Sequence, residues 1–214
     1  DFMTGDSAAA SAKFRVGSNQ VSTPTLGTSN TRLGVNAGDA IVSGTNYNVL
    51  IGDEAGTALN SGDNNVAVGY ASGDALTSGT LNTFVGSNAG SAAQTVNNNT
   101  AIGAFAFDAG TGADNTAVGS GALGGASNSA ADNVAIGNDA GNQISSGINN
   151  SLIGSHSGDA LTVGGSNVAV GYDALTTDVG GSYSVAVGNY ALNAQTFGSA
   201  TNVHNTAVGY AAGL

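Results

Sequence analysis

Apolar and polar positions along this chain recur with a period near 17 residues. Each period carries a polar residue, a β-branched residue, a small residue, an aliphatic residue and then glycine. The anchor glycines are Gly34, Gly52, Gly69, Gly86, Gly103, Gly119, Gly137, Gly154, Gly171, Gly188 and Gly209. The steps between them are 18, 17, 17, 17, 16, 18, 17, 17, 17 and 21 residues. Such a period leaves room for two or three short strands with their turns, and none for a helix pair or a propeller blade. The pattern predicts an all-β fold, a repetitive parallel β-solenoid or β-roll of about eleven 17-residue rungs, each buried against its neighbours.

The columns of the repeat define one strand per rung. The residue before the anchor glycine is aliphatic in all eleven rungs, from Leu33 and Ile51 to Val208. Two positions earlier, ten of eleven residues are β-branched, with Ser151 the exception. Between these columns stand mostly alanines, including Ala67, Ala101, Ala117, Ala135, Ala169, Ala186 and Ala207. Alternation puts the alanines on one face of the strand and the larger residues on the other. Both faces are apolar or small, which predicts a strand buried on both sides. The rung's own interior covers one side, and the alanine column is expected to pack on another chain.

Asparagine stands four positions before the glycine in ten rungs, and Ser184 replaces it once. Asn65, Asn82, Asn99, Asn115, Asn133, Asn150 and Asn167 form its unbroken middle run. Stacked about 4.8 Å apart, these amides are expected to form a hydrogen-bonded ladder along a rod about 50 Å long. Asparagine also tolerates left-handed turn geometry. Three positions after the glycine every rung has Ala or Ser, which implies close packing there.

Composition narrows the function. Only 8% of residues are charged, Gly is 35 of 214, and Pro24 is the one proline. The three basic residues, Lys13, Arg15 and Arg32, lie before the first anchor, and the formal net charge is -11. A rod without salt bridges is expected, held by ladders and apolar packing. Its acidic field argues against nucleic acid and anionic membranes as partners. There is no cysteine, no apolar run long enough to span a membrane and no visible signal peptide. Residues 1–28 break the repeat and read as a leader: a cap, or an attachment segment. Residues 29–214 form the solenoid domain. The chain stops five residues after Gly209 without an evident cap, which suggests a processed piece or part of a longer fibre.

Candidate chemistry is sparse. Two positions after the glycine, successive rungs carry Asp139, His156 and Asp173. A metal site or an acid–base pair is one reading, and charge balance in a stacked column is the favoured one, so no metal, cofactor or catalytic residue is expected. Asp114 and Asp132 each precede a ladder Asn, at what should be a solvated turn. Tyr70, Tyr172 and Tyr210 follow the anchor glycine directly, with Tyr190 one position further on. Tyrosine on a polar rod suits ligand contact, such as sugar stacking. A four-residue insertion lies around Gln195–His204. Gly119–Gly124 matches Gly-x-Gly-x-x-Gly but lacks a following helix pattern, so it reads as chance.

The string Asn65-Val66-Ala67-Val68-Gly69-Tyr70-Ala71-Ser72 is similar to the head repeat of YadA-like trimeric autotransporter adhesins. Asn115–Gly119 and Asn205–Gly209 resemble repeats of bacteriophage tail fibres more closely. The period here is longer than in the adhesin repeat. The resemblance implies a homotrimer of parallel β-rolls. It points to a structural fibre protein of a phage virion, attached to other virion or surface proteins through residues 1–28, acting as a stiff extracellular spacer and a surface for host-receptor binding to a glycan or protein. A bacterial cell-surface adhesin head or stalk is the alternative. A polysaccharide-degrading tailspike, a monomeric hexapeptide-type helix and an ice-binding rod fit less well. On this view the protein is not an enzyme.

Overall fold

In a computed structural model, residues 15–16, 21–22, 27, 29–125 and 129–214 are described. Among them every regular element is a strand. Eleven three-residue strands pair in parallel and in sequence order into one sheet, from Thr31–Leu33 at one end to Thr206–Val208 at the other. The repeat aligned from the anchor glycines therefore gives the register: Val66 pairs with Thr83, Ala67 with Phe84 and Val68 with Val85. A parallel β-solenoid is the architecture. Within 1–28, Arg15–Val16 pairs antiparallel with Val21–Ser22. The cap or attachment role expected of the leader otherwise lies outside the described residues.

Each rung is closed by left-handed corners. The residue two positions after the anchor glycine has positive φ in every rung, as at Glu54 (59°), Asp139 (52°) and Tyr190 (61°). The residue before the ladder Asn is also left-handed throughout, from Ser29 (60°) to His204 (56°). The ladder asparagines themselves are not. Left-handed geometry thus falls on their neighbours, including Tyr47, Leu81 and Tyr183, and the Asn is retained for its amide. Asp114 and Asp132 sit at this exposed corner, as expected, and Asn98 donates to the Asp114 carboxylate at 3.0 Å.

The amide ladder is present and buried. Asn65 is typical: its backbone N–H and its Nδ2 both donate to Asn48 Oδ1, at 2.8 and 3.1 Å. Its Nδ2 also donates to the Gly79 carbonyl at 2.9 Å. Each amide therefore satisfies a backbone donor and a backbone acceptor that the sheet leaves unpaired.

The strand is buried on one face only, which corrects the sequence expectation. The alanine column points into the rung and is sealed, whereas the β-branched and aliphatic columns point outward and are half-buried or exposed. A period of two separates the faces but carries no sign for which is inside. The lumen is shared with Ile41, Leu59, Leu76, Ile144 and Leu161 from the opposite wall; most rungs set an alanine across from them, and Leu50, Phe84 and Leu152 are the large members of the same inward column, all fully buried. The second surface, if there is one, belongs to the outward column.

At one wall of the lumen a small residue is paired with a large one. Gly56, Gly73, Gly141 and Gly158 are followed three positions later by Leu59, Leu76, Ile144 and Leu161. Where Phe107 takes the glycine's place, position 110 becomes Gly, and a Cβ there would lie 2.3 Å from the Phe107 ring. The Ala/Ser column three positions after the anchor is buried from Ala37 to Ala191, as its composition predicted.

One cation does pair within the first rung. Arg32 takes the alanine column's place, donates from Nε to the Ala37 carbonyl and lies 3.6 Å from Asp39. The rod is therefore not wholly without conventional ion pairs.

Asp74 is expected to make stability fall as pH rises. Burial holds its carboxyl above the usual range; backbone N–H groups of Ala75 and Asp74 partly offset this, and Glu54 and Asp108 push it further up. Its Oδ1 is buried with no protein hydrogen-bond partner. The folded rod thus keeps the proton to higher pH than the unfolded chain, whose value is near 3.8. The penalty is absent below that value, grows through the window up to the raised folded value, and is fully present above it. Asp74→Asn should raise the melting temperature at neutral pH and flatten the profile in that window. A profile unchanged from the parent would remove Asp74 as its source.

Candidate functional site

The strand and its left-handed corner place the residues just after each anchor glycine on an outer edge of the rod. Along most of that edge they are small or polar, as at Ser87, Asn88, Ala104, Ser120 and Asn138, with Tyr70 and Phe105 as isolated rings. In the last four rungs they become rings. His156 and Tyr172 are 6.0 Å apart between centroids, Tyr172 and Tyr190 5.5 Å, and Tyr190 and Tyr210 5.9 Å. Every contact is edge-to-face, with interplanar angles of 81°, 78° and 83°. Three of the four sequence candidates, Tyr172, Tyr190 and Tyr210, therefore meet in one row. Tyr70 does not join them: its rung lies six before that of Tyr172, and its column neighbours in adjacent rungs are Asp53 and Ser87.

The row begins in a charged cluster. His156 Nε2 lies 3.8 Å from Asp139 Oδ2, and its Nδ1 lies 3.5 Å from Asp173 Oδ1. The stacked column expected from the repeat is thus formed. Asp159 stands beside it; burial raises its carboxyl above the usual range, His156 pulls it down, and Asp139 and Asp173 push it up. The Asp173 carboxylate, followed by Tyr190, raises the Tyr172 hydroxyl above its ordinary value. Among the described residues no group of three or more His, Asp or Glu is arranged to hold a metal ion. The cluster offers hydrogen-bond acceptors and negative charge at one end of an aromatic strip.

A second polar group was missed from the sequence. Asp178 and Gln195 occupy the lumen column that holds Leu or Ile in five other rungs. Asp178 is fully buried and accepts from the backbone N–H of Gly181 at 3.0 Å, the Phe197 N–H at 3.1 Å and Gln195 Nε2 at 2.5 Å. Gln195 also reaches Ser184 Oγ at 3.2 Å and accepts from Asn205 Nδ2 at 2.7 Å. The glutamine amide bridges the gap that Ser184 opens in the ladder. The insertion around Gln195–His204 is tied down by this group and by Thr201–Asn202, which pairs in parallel with Gly181–Ser182. Its His204 stacks on Tyr183 at 5.1 Å. The switch from Leu or Ile to Asp and Gln in one column, beside the one ladder gap, was the available signal.

The third feature is the outward strand face. Its two columns run the length of the sheet and hold Val, Ile, Leu, Thr and one Ser, with no charged residue. Ile102, Ile136 and Ile153 are each about two-fifths exposed, at 41%, 39% and 41%.

No protein-family model, curated protein or solved structure matches this chain.

Proposed function

We propose that this protein is a stiff, non-catalytic segment of an extracellular fibre, of the bacteriophage tail-fibre kind that its repeat resembles, and that it works as a homotrimer. The observation that carries this reading is the outward stripe. It is about 50 Å long at the strand spacing of a sheet and two side chains wide, and it bears no charge. A largely apolar strip of that size, roughly 500 Å² by those dimensions and interrupted only by Thr and Ser hydroxyls, is at the upper end of what a monomer leaves uncovered. Packed against two further copies, it would bury its β-branched residues while the acidic corners stay in water. The regular rungs then act as a spacer, and weak contacts on the corners would be shown three times over, raising avidity.

The mass in solution tests the assembly. Light scattering should give about 61 kDa, three times the 20.4 kDa chain. Ile153→Lys, in the middle of the stripe, should lower that mass without unfolding the rod. A stable 20.4 kDa species for the parent chain would overturn the trimer.

A further inference from the structure

We propose that the corner row His156, Tyr172, Tyr190 and Tyr210 is a binding strip for an extended, uncharged saccharide chain. This deepens the receptor-binding part of the fibre reading and rests on it, but not on the trimer. The rings occupy four consecutive rungs and touch one another, whereas Tyr70 and Phe105, the other rings on that corner, are in none of these ring contacts. Their centroids lie 5.5 to 6.0 Å apart on rungs spaced about 4.8 Å, a separation of the same scale as successive sugars in an extended pyranose chain. Their edge-to-face order presents ring faces alternately with ring edges and hydroxyls, which suits the apolar and hydroxyl-bearing sides of a sugar. They are not turn covers: Tyr210 is 78% exposed and Tyr172 42%.

Charge sets the class of sugar. Asp139 and Asp173 flank His156, and no Lys or Arg follows Arg32. Carboxylates there accept hydrogen bonds from sugar hydroxyls and repel uronic or sialic acids. A protein partner fits less well. Protein hot spots use enclosed, desolvated wells, whereas this row lies along an outer edge, the shape that a linear polymer follows.

Cellohexaose is the probe, with a galacturonate hexamer as the anionic control. Tyrosine fluorescence should report binding of cellohexaose and not of the control. Amide shifts in an NMR titration should concentrate at residues 155–156, 172–173, 190 and 210. The double variant Tyr172→Ala/Tyr210→Ala should weaken binding about tenfold, the scale of lost ring stacking. Tyr190→Phe, which keeps the ring, should change it by less than about twofold, and Tyr70→Ala should leave it unchanged. The inference is overturned if cellohexaose gives no response, if the galacturonate binds as well, if the shifts lie elsewhere, or if Tyr70→Ala costs as much as the double variant. A trimeric mass with no saccharide binding would sink this inference and leave the fibre reading standing.

Discussion

Alanine at position 137 is expected to cost the rod at least about 4 kcal/mol, or to stop it folding, a loss reserved for severe backbone or core damage. Gly137 has φ of 145°, a region that side chains rarely adopt, and a Cβ there would lie 2.4 Å from the Gly154 carbonyl oxygen of the next rung. The dihedral alone costs about 1–3 kcal/mol. The clash adds to it, because the facing atoms are backbone held by the ladder and cannot rotate away. Gly209 supplies the control. Its φ is 127°, yet a Cβ there would meet only Ala212 at 4.0 Å. Gly209→Ala should therefore show the dihedral cost alone. Denaturant titrations of both variants separate the two terms. Equal losses at 137 and 209 would mean that close approach between rungs is not what selects glycine. Because each rung touches only its neighbours, a defect at 137 should also split unfolding into two steps.

Removal of a ladder amide has the second largest effect. Asn150 donates from its backbone N–H and Nδ2 to Asn133 Oδ1, at 2.9 and 3.0 Å, and from Nδ2 to the Gly164 carbonyl at 3.0 Å. Its Oδ1 accepts the backbone N–H and Nδ2 of Asn167, at 3.0 and 3.1 Å. All of this is buried. Asn150→Ala strands the Asn167 N–H and the Gly164 carbonyl away from water, at about 1–3 kcal/mol each. A loss near 3 kcal/mol is expected, again read by denaturant titration. Asn150→Asp should be worse, since an oxygen would then face the Gly164 carbonyl and Asn133 Oδ1 where a donor stood. A loss below about 1 kcal/mol for Asn150→Ala, the net scale of one ordinary hydrogen bond, would mean that the ladder decorates the rod rather than holding it. Ser184 is consistent with the stronger view, because the one natural gap is bridged by Gln195.

Much of this was legible because stacking converts sequence period into spatial register. Once Gly69 and Gly86 are aligned, Val66 must face Thr83, and Asn65 must face Asn82. The buried small column and the exposed Asp114 and Asp132 corner follow in the same way. The row of Tyr172, Tyr190 and Tyr210 was harder. Tyr190 is offset by one position from the others, and only the corner geometry shows that the two adjacent columns interleave with His156. Tyr70 matched the pattern in sequence and has no ring beside it in space. Asp178 was passed over because a single acid in a polar chain looks solvated until the lumen closes around it.

The chain by itself determined the period, the strand register, the Asn ladder and the need for glycine at each anchor, since these depend on identical rungs meeting themselves. Only the tertiary structure decided which strand face is inside. The inward column shares the lumen with side chains arriving from the opposite wall, so Leu76 and Ile144 lie across from Ala67 and Ala135, and Leu50, Phe84 and Leu152 of the same column are sealed there too. That choice put the β-branched stripe on the outside, where water or another surface must cover it.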